Sequence, residues 1–285
     1  MNAKTRLFCV IGDPIEHSMS PAMHNEVFAK MNLNCAYAAF GVEKGGIGDA
    51  VKGMRALGIA GANVTIPHKV DVMKHLDSLS EEARIIGAVN TIEFGRELVG
   101  HNTDGMGALR ALRNAGADPR GKKVLMLGSG GAARAIAVTL ALEGNLDSMM
   151  ILGIEDAERD GLVRDVERDT RCDVAGSRLN DGSLRRELEG ADLLIHCTPV
   201  GMHPRVGETL VTAELMGPDL DVMDIVYNPM ETRLLKEARE AGVNKAIGGV
   251  DMFVNQGAES LRIWLGIDAP VDLMRRVVAD ELSRG

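Results

Sequence analysis

Two sets of residues in this chain have types and spacing that suit chemistry. The first is Gly128-Ser129-Gly130-Gly131-Ala132-Ala133, with the spacing Gly128-x-Gly130-x-x-Ala133. A glycine at the first position permits a sharp turn, and one at the second lets backbone approach a pyrophosphate. A small third residue lets a helix pack close to the preceding strand. The N–H groups that open such a helix face the anion with a partial positive charge. A dinucleotide site is the expectation, and a turn without a ligand is the bland alternative. The second set is polar: His17, Ser18 and Ser20 after one apolar run, Asn63 and Thr65 within another, Lys69 just past it, and Asn90 inside a third. Ligands of open α/β sheets gather beyond the carboxyl ends of strands, where these side chains could converge on one small polar molecule. The competing reading is turn chemistry, with Ser20 as a helix cap, the asparagines as satisfied polar groups and Lys69 as a solvated charge. Spacing alone leaves both open.

Holding such residues in place requires strands that end where the polar residues begin. Apolar runs at 7–11, 35–42, 62–66 and 88–94 predict strands in the first hundred residues. Between them, Pro21 at a helix start and the spacing of Ile47, Val51, Met54 and Leu57 predict helices, with further helical stretches at 70–76 and 80–86. In the second half, 124–127, 149–152, 193–197 and 222–227 are buried strands, and helices follow the glycine turn and cover 231–241 and the region after Gly248-Gly249. Strands alternating with helices imply an α/β protein with a mostly parallel sheet. Turn residues at 100–105 and the connector at 117–121 mark a domain boundary.

Glu155 and Asp156 close the strand after the glycine helix, 22 and 23 residues beyond Ala133. A dinucleotide fold places an acid there to bind the adenosine ribose 2′-OH, and a carboxylate repels a 2′-phosphate. No basic residue precedes Arg159 in that loop, so the sequence favours NAD over NADP, with Arg134 and Arg159 as the side chains able to reverse that preference.

Composition excludes several classes. The net charge of −9 argues against nucleic acid or an anionic membrane as partner. Aromatic residues are only 3 % of the chain, so the 16 methionines are expected to fill core gaps. Cys9, Cys35, Cys172 and Cys197 lack metal spacing and suit reduced thiols in a cytoplasmic protein. No signal peptide or membrane span is expected. His17, His24, His68 and His101 lack ligand spacing, so no metal site is expected.

Longer motifs carry a resemblance. Ile11-Gly12-Asp13-Pro14-Ile15-Glu16-His17-Ser18-Met19-Ser20-Pro21 followed by His24-Asn25, Gly61-Ala62-Asn63-Val64-Thr65-Ile66-Pro67-His68-Lys69, Gly87-Ala88-Val89-Asn90-Thr91 and Asn102-Thr103-Asp104-Gly105 resemble motifs of shikimate dehydrogenases. So do the glycine turn, Thr198-Pro199-Val200-Gly201-Met202, Tyr227-Asn228-Pro229 and Gln256-Gly257-Ala258, all in the family's order. The resemblance implies a two-domain α/β fold. Residues 1–105, completed by C-terminal helices 251–285, would bind substrate, and 106–250 would form a Rossmann-type doubly wound domain.

It further implies that Ser18 and Ser20 bind a substrate carboxylate with Tyr227 nearby. Asn63, Thr65, Asn90, Asp104 and Gln256 would hold ring hydroxyls, and Lys69 with Asp104 would form the catalytic pair. Ser129, Thr198, Val200, Met202 and Gly249 join the glycine turn as cofactor contacts. The implied reaction interconverts shikimate and 3-dehydroshikimate by hydride transfer. A chain departure strengthens the NAD preference: Ile154-Glu155-Asp156 stands where NADP-using members carry asparagine-arginine-threonine. An NAD-dependent quinate dehydrogenase is therefore the alternative, ahead of a nucleotide sensor without chemistry or a one-carbon folate dehydrogenase. The partner is a small cyclic hydroxy acid. A homodimer is compatible with the sequence but not fixed by it.

Overall fold

Alternating strands and helices build the first part of the chain: β1 (Arg6–Gly12), α1 (Ser20–Lys30), β2 (Cys35–Gly41), α2 (Ile47–Ala56), β3 (Gly61–Val64), β4 (Ser78–Leu79), α3 (Glu81–Ile86), β5 (Thr91–Phe94) and β6 (Leu98–His101). The computed structural model describes residues 1–284. It divides into two compact units, one of Met1–Thr103 with the chain from Gln256 onward, the other of Asp104–Asn255.

The sheet of the first unit runs β2-β1-β3-β5-β6-β4. Crossover helices make β1 parallel to β2 and β3, but β5 is antiparallel to both β3 and β6. The sheet is therefore mixed rather than mostly parallel. The β5–β6 part follows from the connection Gly95-Arg96-Glu97, too short for a crossover and suited to a hairpin. Both faces of β1 are buried. Cys9 and Ile11 pack with Ile47, Val51 and Val64, while Phe8 on the other face stacks on Phe28 and Trp264 at 5.6 and 5.1 Å between ring centroids. That double burial explains why β1 is continuously apolar.

Some boundaries differ from the sequence expectation. Helix α1 starts at Ser20 itself, and Met19 occupies the cap position without a side-chain hydrogen bond. The Met23 N–H donates to the Met19 carbonyl, so the backbone closes the turn that a serine cap would have served. Thr65 lies one residue past β3, and Asn90 lies one residue before β5.

The second unit contains α4 (Asp104–Asn114), β7 (Lys123–Leu127), α5 (Gly131–Glu143), β8 (Ser148–Gly153), α6 (Asp156–Asp169), β9 (Val174–Arg178), α7 (Asp181–Leu188), β10 (Leu193–His196), β11 (Asp221–Asp224), α8 (Arg233–Glu240) and β12 (Lys245–Ile247). Helix α9 (Gly249–Leu265) follows, and α10 (Val271–Arg284) returns to the first unit. All strand pairs in this second sheet are parallel, in the order β12-β11-β10-β7-β8-β9. The chain winds outward from β7 to one side and restarts at β10 on the other. This is the doubly wound order of dinucleotide-binding sheets, with its switch point between β7 and β10. Among the described residues, no helix is long and apolar enough to cross a membrane, and no group of three or more His, Cys, Asp or Glu could hold a metal ion.

Within the first unit, His24 on α1 is fully buried and stacks on Tyr37 at 4.4 Å. Neither ring nitrogen has a hydrogen-bond partner among the described residues. Burial keeps the imidazole neutral and lowers its pKa from 6.5 to about 3. Between those values the unfolded chain takes up a proton that the folded chain refuses. Stability should therefore fall with decreasing pH, by up to ~1.4 kcal/mol per pH unit. Urea titrations at pH 7 and pH 4 should show this loss in the wild type and a smaller one in His24→Phe. An unchanged loss in the variant would assign the acid sensitivity elsewhere.

Candidate active site

In the first unit a closed hydrogen-bond network joins several of the expected substrate residues. Asn63 on β3 accepts from the Tyr37 hydroxyl at 2.7 Å. Its Nδ2 lies 3.2 Å from the Asn90 carbonyl and 3.0 Å from both Thr91 Oγ1 and Ser260 Oγ. Asn90 Oδ1 accepts from the Thr103 N–H at 2.8 Å and the Thr91 hydroxyl at 2.9 Å. Thr103 Oγ1 reaches Gln256 Oε1 at 3.5 Å. Asn63, Asn90 and Gln256 are thus brought together around Thr91, Thr103 and Ser260. Asn63 and Asn90 are buried, and their amides are held by protein groups on several sides. The sequence reading singles out the asparagines but not Tyr37, Thr91, Thr103 or Ser260 as their holders. Their only signal was a hydroxyl group at isolated positions spread from 37 to 260.

Ser18 and Ser20 sit side by side at the opening of α1, where the Ser20 N–H donates to Ser18 Oγ at 3.4 Å. Thr65 and Lys69 lie in the turn after β3. The Thr65 N–H donates to the Ile11 carbonyl, and the Val89 N–H donates to the Lys69 carbonyl at 2.8 Å. His68 between them is buried, its Nε2 donating to the Val42 carbonyl at 2.6 Å. Gly12 must be glycine for this turn to close, because a Cβ there would lie 2.4 Å from Thr65 Cγ2 and 3.0 Å from the Ile66 carbonyl. Lys69 is half-buried, with its carbonyl held by the Val89 N–H. Tyr37, beneath this region, has its phenol pKa held well above the usual range by burial, with a hydrogen bond from Ser20 opposing.

The second unit carries the residues expected to meet the nucleotide. Gly128 has φ +108°, and a Cβ there would lie 2.9 Å from the Cys197 carbonyl. That close approach sets the turn against Thr198, whose Cγ2 is 3.2 Å from the same point. Gly130 occupies the cap of α5 with no side-chain hydrogen bond, and a Cβ on Gly130 or Gly131 would meet nothing within 4 Å. Ala133 is fully buried against the sheet. Open backbone N–H groups over an uncapped helix start fit a pyrophosphate.

Thr198 is held in turn. Its Oγ1 lies 2.5 Å from His196 Nε2 and accepts from the Val200 N–H at 3.3 Å. His196 Nδ1 lies 2.9 Å from Asp224 Oδ1, and Asp224 also accepts from the Val226 N–H and the Thr232 hydroxyl. We assign the proton to Nδ1, so that the Thr198 hydroxyl donates to Nε2. This buried His–Asp pair was visible in the sequence only as two polar residues ending apolar strands. Val200 is partly buried and Met202 exposed in the same loop. Gly249 opens α9 where a Cβ would lie 2.2 Å from the Ile225 carbonyl. Tyr227 packs at a tilt against Phe253, with ring centroids 5.5 Å apart. Asp104 is the first residue of α4, and its neighbour Gly105 presses on α5, with a Cβ position only 2.0 Å from Thr139 Oγ1.

Known proteins match along the whole chain. The family model described as shikimate dehydrogenase substrate binding domain matches residues 10–92, and the shikimate 5'-dehydrogenase C-terminal domain matches residues 249–279. The chain is 47% identical over 287 residues to shikimate dehydrogenase (NADP(+)) of Methanopyrus kandleri, covering 99% of this chain and 98% of that one. Its structure is similar to shikimate 5-dehydrogenase from Listeria monocytogenes in complex with shikimate and NAD, with TM-score 0.93, 39% identity and 98% of each chain covered. It is also similar to a shikimate dehydrogenase in complex with NADP+, with TM-score 0.89, 38% identity, and 99% of this chain and 97% of that one covered.

These findings overturn the expected preference for NAD over NADP. The more similar Methanopyrus relative carries NADP(+) in its name, and one of the two structures holds NADP+. The physical reason lies at the end of β8. Glu155 is exposed at the cap of α6 and Asp156 opens that helix, as expected, but the Asp156 carboxylate is shared between two arginines. Arg159 Nη1 binds its Oδ1 at 2.7 Å, and Arg178 Nη1 lies 3.5 Å from its Oδ2. Arg178 comes from the neighbouring strand, so counting charges within the loop alone misjudged its field. Arg134 is paired with Asp165.

Thr91→Val keeps the shape at the centre of the first unit's network and removes the hydroxyl that Asn63, Asn90 and Ser260 share. It should cost about 1–3 kcal/mol of stability by denaturant titration, because buried polar partners lose their bond. A loss within the scatter of surface substitutions would mean the network is not shared as described.

Proposed function

The chain belongs to the shikimate dehydrogenase family, and from that premise we propose how its residues carry the reaction. The enzyme is an oxidoreductase that interconverts shikimate and 3-dehydroshikimate, with NADP(+) as cofactor. The glycine turn fits the cofactor's pyrophosphate through the uncapped start of α5 and the open space over Gly130 and Gly131. When bound, the nicotinamide supplies or accepts the hydride.

The residues of this chain do the rest. Ser18 and Ser20 donate hydrogen bonds to the substrate carboxylate at a helix start, where partial positive charge helps hold an anion without a fixed cation. Tyr227 is assigned to the same carboxylate. Thr65, Asn63, Asn90 and Gln256 orient the ring hydroxyls. Hydride arrival at a ketone leaves an alkoxide, which needs a proton as it forms, and the reverse reaction needs that proton removed. Lys69 is the assigned carrier, an amine able to give that proton in one direction and take it back in the other. Asp104 is the carboxylate assigned with Lys69 to that step and to a ring hydroxyl. Val200, Met202 and Gly249 complete the cofactor contacts with Ser129, Ala132 and Thr198. The observation supporting this assignment most directly is the single network that fixes Asn63, Asn90 and Gln256 around Thr91 and Thr103. All four cysteines are free, which fits a reducing cytoplasm.

Absorbance at 340 nm with shikimate or quinate, each run with NADP(+) and NAD(+), tests the substrate and cofactor directly. Shikimate with NADP(+) should give the highest kcat/KM, and faster turnover of quinate with NAD(+) would reverse the assignment. Lys69→Ala should lower kcat by ~10²–10⁴ with the KM for shikimate little changed. A large rise in KM at near-normal kcat would remove Lys69 from proton transfer.

A further inference from the structure

We propose that Arg178, the last residue of β9, receives the adenosine 2′-phosphate of the cofactor. This rests on the NADP(+) reading above and names the group that makes it possible in a chain whose adenosine loop is acidic.

Geometry places Arg178 beside the nucleotide turn within one sheet. It is the register partner of Gly153, the last residue of β8, and the Leu179 N–H donates to the Gly153 carbonyl at 3.1 Å. The glycine turn presses on that same strand end, because a Cβ on Gly153 would lie 2.7 Å from Ser129 Oγ. Arg178 is thus one strand spacing, roughly 4.8 Å, from the β8 end where an adenosine ribose binds in this fold.

The arginines around this point differ in what they have left to offer. Arg159 is buried and committed: its guanidinium contacts Asp156 at 2.7 Å, Asp160 at 2.7 Å and the Gly153 carbonyl at 3.5 Å. Arg134 is taken by Asp165. Arg178 has a single ion pair among the described residues, at 3.5 Å to Asp156, and its side chain is 64% exposed. An exposed pair at that distance is weak. A phosphate dianion offers the planar guanidinium two parallel charge-assisted bonds instead. Asp156, read alone as a repeller of phosphate, holds Arg178 near the site until the phosphate takes it. Glu155, Glu158 and Asp160 supply further negative charge nearby, so removing Arg178 leaves an acidic surface that disfavours the phosphate outright.

Calorimetric titration of the full chain with adenosine 2′,5′-bisphosphate and with 5′-AMP tests this without turnover. The wild type should bind the bisphosphate more tightly. Arg178→Gln should weaken bisphosphate binding by roughly 10–100-fold while hardly moving 5′-AMP. Arg178→Lys, which keeps the charge but loses the fork, should recover part of that loss. If Arg178→Gln retains the wild-type preference for the bisphosphate, or weakens both probes alike, Arg178 is not the receptor although the NADP(+) reading stands. A wild type that does not distinguish the probes overturns both.

Discussion

The side-chain amide of Asn63 has two hydrogens and three acceptors within 3.2 Å, contributed by the Asn90 carbonyl, Thr91 and Ser260. Its oxygen is claimed by Tyr37. In a buried place such an amide must be satisfied or cost several kcal/mol, so β2, β3, the start of β5 and helix α9 have to arrive in one arrangement. A slip of one residue along β3 would turn Asn63 to the opposite face and leave its partners stranded. The same constraint fixes the residues proposed to meet the substrate, because Asn90 and Gln256 hang from this network rather than from flexible loops. The positions of these side chains are therefore inherited from the core.

The second unit solves its positioning problem with backbone contact rather than with amides. Gly105, Gly128 and Gly249 each sit where a Cβ would collide with a carbonyl of another segment, at 2.3, 2.9 and 2.2 Å. Close approach lets the starts of α4 and α9 and the nucleotide turn lie against their neighbours with no side chain between. The His196–Asp224 pair then locks Thr198 at the switch point between β7 and β10. The two units thus rely on two different chemistries of rigidity.

The strand, glycine turn and helix of the expected cofactor site were legible as elements because every part of that signal is local: an apolar run, small residues at fixed spacing, an alanine-rich helix. The polar residues of the first unit were legible as candidates, since Asn63 and Asn90 break apolar runs. Their partners were not, because Ser260 stands nearly two hundred positions from Asn63. Periodicity names strands but not their neighbours, so the antiparallel placement of β5 escaped a reading that expected crossovers throughout. β9 was harder still. Only Val174 of its five residues is buried, as befits an edge strand, and nothing in Val174-Ala175-Gly176-Ser177-Arg178 alternates clearly. Losing that strand hid Arg178, and hiding Arg178 led to the wrong cofactor preference. Glu155 and Asp156 were correctly placed at the β8 end, but the field there depends on cations that only strand pairing brings.

The first unit is also discontinuous in the chain, whereas the second is one uninterrupted stretch. A ribosome delivering this protein completes Asp104–Asn255 while the amide of Asn63 still lacks Ser260 and the Ile92 carbonyl still lacks the indole of Trp264. The unit proposed to bind the nucleotide then has all its strands available, and the unit proposed to bind the substrate stays open until the closing helices emerge. During that interval Phe8 and Phe28 lack the Trp264 ring that packs on Phe8, leaving an apolar surface that chaperones or neighbouring nascent chains would meet first.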